Sequence, residues 1–157
     1  MERKRLDINI YSLAEIIKNS EEHILDLETG RLFKIDENIL DAIESDYYDD
    51  LSVNELEVVE ILKEVYNGSK RFVQVPKISE GDIINIIMEI RENLDDMDEL
   101  KEKLLEIASS EKVYRKIRYL IDKNEEFEKI WNYYLWLYTV KKAKAWLLSL
   151  GFEINQP

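Results

Sequence analysis

The sequence contains no cysteine. That excludes a disulfide framework, a thiolate nucleophile and any zinc site built on sulfur. His23 is the single histidine, so metal sites and acid–base mechanisms that need two imidazoles are excluded within one chain. Four glycines and two prolines in 157 residues leave little room for a linker, and no internal repeat or low-complexity tract is present. Long apolar runs are missing as well. The longest, Ile130–Val140, is interrupted by Asn132 and Thr139. As a helix it spans roughly 16 Å, about half the hydrocarbon thickness of a bilayer. The start, Met1-Glu2-Arg3-Lys4-Arg5, has the charge of a signal-peptide n-region, but Asp7, Asn9, Glu15 and Lys18 interrupt the stretch after it, so no apolar h-region forms. No targeting segment and no membrane association are therefore expected, and the expected location is cytoplasmic. The motifs with fixed chemistry are also lacking. There is no phosphate-binding glycine loop, no dinucleotide pattern, no paired-histidine zinc helix, no calcium-loop spacing and no serine elbow.

What is present supports one core. The chain is 45% hydrophobic and 10% aromatic, enough to offset chain entropy, and a chain of this length buries roughly 68–70% of its unfolded surface. Thirty-four acids against 22 bases give a net charge of -12, which opposes non-specific binding to DNA or anionic membrane. The charge is unevenly divided. Residues 1–111 hold 29 acids and 13 bases, whereas residues 112–157 hold five acids and nine bases. The acids are densest between Asp36 and Glu64; the basic end groups Lys112, Arg115, Lys116, Arg118 and Lys123, then Lys141, Lys142 and Lys144.

Periodicity predicts a mainly helical α+β domain with a small antiparallel sheet of about three short strands near the N-terminal half. Leu13, Ile16 and Ile17 share a face of a helix over 11–19 with Ser12 as N-cap. His23–Glu28 and Arg31–Ile35 read as a hairpin, residues 23–35, around a two-residue loop Thr29-Gly30. Arg71–Val75 reads as a third strand, confined to an edge by Pro76. Helices are predicted over Asp36–Glu44, Asn54–Tyr66, Ser79 to about Asn93, Met97–Ala108, Glu111–Asp122 and Glu125–Leu150. Ser79 with Asp82 resembles a capping box, and Asn67-Gly68 a C-cap. The expectation is a single domain over 1–157, an acidic α/β part at 1–78 followed by a helical part at 79–157.

Three groups of residues carry candidate chemistry. His23, sharing a strand face with Leu25 and Leu27, reads as a partly buried structural histidine. Asp46, Asp49 and Asp50, or Asp95, Asp96, Asp98 and Glu99, have the hard oxygens that bind Mg²⁺ or Ca²⁺. The plainer reading is capping and solvation, and no metal or other cofactor is expected. The third group is basic. Val113, Ile117, Leu120 and Ile121 form a core stripe, with Lys112, Arg115, Arg118 and Asp122 along another face, flanked by Lys116 and Tyr119. That face serves phosphates and bases, a partner's acids, or the chain's own acidic half. On the following helix Phe127, Ile130, Trp131, Tyr134 and Tyr138 make one stripe, and Trp136, Val140, Ala143 and Leu147 another. A helix apolar most of the way round is either central to a core or binds something.

Arg71-Phe72-Val73-Gln74-Val75-Pro76, Ile87-Met88-Glu89, Tyr114-Arg115-Lys116, Trp131 and Ala143-Lys144-Ala145-Trp146-Leu147 before Gly151, in that order, together with Asp26-Leu27-Glu28-Thr29-Gly30 near the start, make the sequence resemble bacterial uncharacterised protein family zero-one-five-eight of the UPF series. The resemblance covers most of the chain and implies no known activity. Two departures stand out. The family has a Phe-Arg-Arg-Phe core where this chain has Tyr114-Arg115-Lys116-Ile117, and an arginine soon after the tryptophan where this chain has Leu135.

These observations lead to a non-enzymatic interaction or regulatory protein, without cofactor, that binds a protein partner or a second copy of itself through its C-terminal helices. Lys112, Arg115, Arg118, Tyr119, Lys141, Lys144 and Trp136 form the candidate surface. RNA binding through Arg115, Arg118, Lys141 and Lys144 is the first alternative, and a carboxylate–metal hydrolase the last.

Overall fold

The computed structural model describes residues 4–5, 7–96 and 98–154. Its elements are β1 (Lys4–Arg5), α1 (Ile10–Lys18), β2 (His23–Asp26), β3 (Leu32–Lys34), α2 (Glu37–Ser45), α3 (Val53–Tyr66), β4 (Phe72–Gln74), α4 (Glu80–Glu92), α5 (Glu99–Ala108), α6 (Val113–Lys123), α7 (Glu125–Ser149) and β5 (Phe152–Glu153). Among the described residues this is the mainly helical α+β fold with a three-stranded antiparallel sheet that the periodicity predicts. No described helix is long and apolar enough to cross a membrane.

Side-chain chemistry sets the helix starts. Asn9, not Ser12, opens α1: its Oδ1 accepts from the Tyr11 N–H at 2.8 Å and the Ser12 N–H at 3.2 Å. Moving the cap back places Ile10 inside the helix, buried with Leu13, Ala14 and Ile17. Asp36 caps α2 and Asp98 caps α5. The helix predicted from Met97 thus starts at Glu99, and Met97 itself lies outside the described residues. Ser52 with Glu55 forms a capping box on α3, and Ser79 with Asp82 forms one on α4. The helix predicted from Glu111 starts at Val113, where Lys112 occupies the N-cap and makes no side-chain capping bond.

The sheet has the order β3-β2-β4, so β4 is an edge strand, as Pro76 requires. The hairpin register differs from the prediction. Leu25 pairs with Leu32 and His23 with Lys34, so the loop runs Leu27–Gly30 rather than Thr29-Gly30 alone. The Asp26 carboxylate causes this, accepting from the Glu28 N–H and the Thr29 hydroxyl, both at 2.9 Å. That side-chain turn competes with further strand pairing. Gly30 N–H closes the loop onto the Asp26 carbonyl at 2.8 Å, with φ of 78°, a conformation that favours glycine. The slide moves each partner by two residues, which keeps every side chain on its predicted face. Two-residue strands β1 and β5 pair in parallel, Lys4 with Phe152 and Arg5 with Glu153; segments this short carry no periodicity to read.

The chain divides into two compact units. The first takes in residues up to Lys77 and those from Ala143 onward; the second runs Ile78–Lys142. In the first, Ile24, Phe33 and Phe72 on one sheet face join Ile39 of α2 and Val58, Val59, Ile61 and Leu62 of α3 in one cluster. All four β2 residues are buried, so the strand is covered on both faces. The second unit packs Ile83, Ile86, Ile87 and Ile90 of α4 with Leu104 and Ile107 of α5, Val113, Ile117 and Ile121 of α6, and Phe127 and Trp131 of α7. Each of these fully buried aliphatic side chains contributes about 1.5–3 kcal/mol through removal from water. Tyr134 and Tyr138 pack against the edge of this cluster.

Candidate functional site

Charged residues in a folded chain either neutralise one another or face solvent, and the two outcomes separate here. In the first unit Asp26 is buried beside Phe72 on the sheet face. Arg71 grips it with two bonds, Nε to Oδ1 at 3.0 Å and a terminal nitrogen to Oδ2 at 2.9 Å. This fork geometry is the strong form of a charge-assisted pair. The Arg71 guanidinium holds the Asp26 carboxyl well below the usual carboxylate range, and the Glu28 N–H and Thr29 hydroxyl add to the effect against the opposing burial.

The second unit holds a comparable group. Burial would raise the Asp82 carboxyl, but bonds from Lys142, Ser79 and Tyr138 outweigh it and take the value down to about 2. Tyr138 donates its hydroxyl at 2.6 Å, Lys142 its ammonium at 2.5 Å, and Ser79 its backbone N–H at 2.7 Å and hydroxyl at 2.9 Å. Burial pushes the Tyr138 phenol up, and Asp82 adds to this. Every oxygen of the Asp82 carboxylate is thus committed. The Ser79–Asp82 spacing identifies the cap; nothing in it identifies Lys142, sixty residues on, as the cation.

The basic residues behave differently. Lys112, Arg115, Lys116 and Tyr119 recur at helical spacing, so α6 places them on one face, while Val113, Ile117 and Ile121 are buried. Lys103, Glu106 and Ile107 of α5 have the same spacing. Together these seven side chains line a hollow of about 470 Å³. Lys103, Lys112, Arg115 and Lys116 are exposed. Among the described residues none of the four has a carboxylate partner. Three of them, Lys112, Arg115 and Lys116, also sit at the start of α6, whereas Lys103 lies on α5. The first turn of α6 carries no acid, and cations there face the positive end of the helix dipole. These cations therefore do not stabilise α6.

Of the predicted surface, the structure brings Lys112, Arg115 and Tyr119 into this cleft. Arg118 is exposed on α6 but does not line it. Lys141 is exposed on α7, while Trp136 and Lys144 are half-buried there; none of the three lines the cleft. Lys103, Glu106 and Ile107 are absent from the predicted surface, since only the pairing of α5 with α6 makes them neighbours of it.

His23 is buried, and among the described residues its Nδ1 has no hydrogen-bond partner, lying 3.9 Å from a Glu21 carboxylate oxygen. Burial lowers its pKa, with Glu21 opposing. Of the first acidic group, Asp50 lines a small hollow with Asp41 and Tyr47, which Asp46 and Asp49 do not line. Asp46 instead caps α2 with φ of 56°. In the second group Asp98 caps α5 and Asp96 pairs with Lys101. Among the described residues no three histidine, aspartate or glutamate side chains converge to hold a metal.

No curated protein and no solved structure matches this chain. A family model does match, and it spans both units, the buried carboxylate groups and the whole of the α5–α6 cleft. Over residues 8–154 the chain matches the uncharacterised protein family UPF0158, and it belongs to that family.

Proposed function

We propose that this protein is a non-enzymatic interaction protein that docks a protein partner on its C-terminal helices, through the cleft between α5 and α6. One observation carries the reading: four cations that have no carboxylate partner among the described residues line one hollow in a chain of net charge -12. The other charge convergences, at Asp26 and at Asp82, consume their own charges and leave no base free to act. RNA binding is the second reading, favoured by the exposed Tyr119 ring beside Arg115.

The test is capture from a cell lysate on tagged protein, with and without nuclease. The reading predicts a protein captured in both arms, lost from the Lys112→Gln/Arg115→Gln/Lys116→Gln variant and kept by Arg118→Gln. Capture abolished by nuclease would support the RNA reading instead. Capture undiminished in the triple variant would place the contact surface elsewhere.

A further inference from the structure

The size, charge and lining of the cleft restrict what enters it. A hollow of about 470 Å³ lies in the range, roughly 300–1,000 Å³, that engulfs a small molecule or a few side chains. It is far too small for a folded domain, so an occupant enters as a short segment. Four cations against the single acid Glu106 call for negative charge in that segment. Ile107, 4% exposed, forms an apolar floor, and the Tyr119 ring, 63% exposed, forms an apolar wall. The aliphatic stems of the lysines extend that surface. Lys123 lies over the Tyr119 ring, 5.7 Å from its centroid.

A continuous polyanion meets opposition close by. Residues 78–142 hold 15 acids and 11 bases, and α5 exposes Glu99 and Glu102 beyond Glu106. Glu102 is one helical turn from Glu106, about 6 Å along the axis, inside the Debye length of about 8 Å at physiological salt. A phosphate chain continuing along α5 is repelled there, whereas a short peptide ends before it. We infer that the cleft takes a short acidic peptide segment bearing an apolar side chain, its carboxylates toward Lys112, Arg115 and Lys116 of α6 and its uncharged end over Glu106. The inference rests on the protein-docking reading above and names the chemistry of the partner.

The experiment is fluorescence polarisation with a labelled short peptide alternating glutamate and leucine. Controls are an all-glutamate peptide, a lysine–leucine peptide and an oligouridylate competitor. Saturable binding of the glutamate–leucine peptide is expected, weakening as salt is raised. It should fall about tenfold or more in the Lys112→Gln/Arg115→Gln/Lys116→Gln variant, and measurably in Arg115→Gln alone, which keeps two of the three cations. Lys112→Arg should retain it. Tyr119→Ala should weaken the glutamate–leucine peptide while leaving the all-glutamate peptide unchanged. Equal binding of the lysine–leucine peptide, undiminished binding by the triple variant, or competition by oligouridylate at or below the peptide's own concentration overturns the inference. If lysate capture depends on the cleft cations but the acidic peptide does not bind, the docking reading stands and the acidic segment is wrong.

Discussion

Two hollows of similar size, one in each unit, treat their cations in opposite ways. The first, about 420 Å³, is lined by Arg31 and Arg71 with Asp26, Glu57, Glu60, Glu64, Phe33 and Phe72. Both of its arginines are engaged. Arg71 binds Asp26 and Glu28, while Arg31 reaches Glu57 at 3.7 Å and lies 4.5 Å over the Phe33 ring. The second, between α5 and α6, holds four cations, and among the described residues none of them is paired with a carboxylate, although Glu106 lines the same hollow. The lesson is that counting basic residues along the sequence does not locate a binding surface. The accounting of partners does, and it points to α6.

The largest expected effect calibrates the scaffold under the second hollow. Trp131 is buried and packs its ring 6.3 Å from Phe127. Trp131→Ala should therefore cost about 3–5 kcal/mol in urea unfolding, as a large core deletion. The next effect tests whether the first hollow is as self-contained as its geometry implies. Asp26→Ala leaves the Glu28 N–H, the Thr29 hydroxyl and Arg71 without their acceptor, at an expected cost of about 1–3 kcal/mol. Arg31→Gln, which breaks an exposed pair, should change stability by no more than about 0.5 kcal/mol.

Acid sharpens the contrast between committed and uncommitted charge. Asp82 has a folded value of about 2 against an ordinary 3.8, so the unfolded chain binds more protons between those values. The stabilisation from Asp82 is complete above the ordinary value and is lost as pH falls from about 3.8 through about 2. Asp26, lowered further, begins to lose its contribution from the same ordinary value and completes the loss at still lower pH. His23, lowered by burial from 6.5, acts in the same direction at higher pH: its stabilisation falls as pH drops below 6.5. Urea midpoints measured across this range should show an acid slope that Asp82→Asn reduces and Lys112→Gln leaves unchanged.

How much of this is legible in the sequence differs by the range of the interaction. The helices are readable because their apolar spacing and caps are local: Ser52, Ser79 and the Val113-Ile117-Ile121 stripe are decided within a few residues. The hairpin is recognisable but not its loop, because the local Asp26 side-chain turn that competes with strand pairing is anchored by a residue distant in sequence. Arg71 lies 45 residues from the Asp26 carboxylate that it fixes in the turn. For the same reason Lys142 reads as part of a basic face when it is the counter-ion of Asp82. In the cleft, Lys112, Arg115 and Tyr119 are legible from the wheel of one helix. Lys103 and Glu106 require knowing that α5 packs beside α6, and Arg118 shares the charge, not the face, of the others.

The smallest predicted change is the most direct test of the central claim that the α6 cations serve binding and not folding. It is the urea-unfolding free energy of the Lys112→Gln/Arg115→Gln/Lys116→Gln variant beside the unaltered protein. Because these exposed cations oppose the α6 dipole and have no carboxylate partner among the described residues, the variant should match the unaltered protein to within about 0.5 kcal/mol or be slightly more stable. A loss of about 2 kcal/mol or more would show that the cleft cations are internal supports of the fold, and the account of this surface would be contradicted.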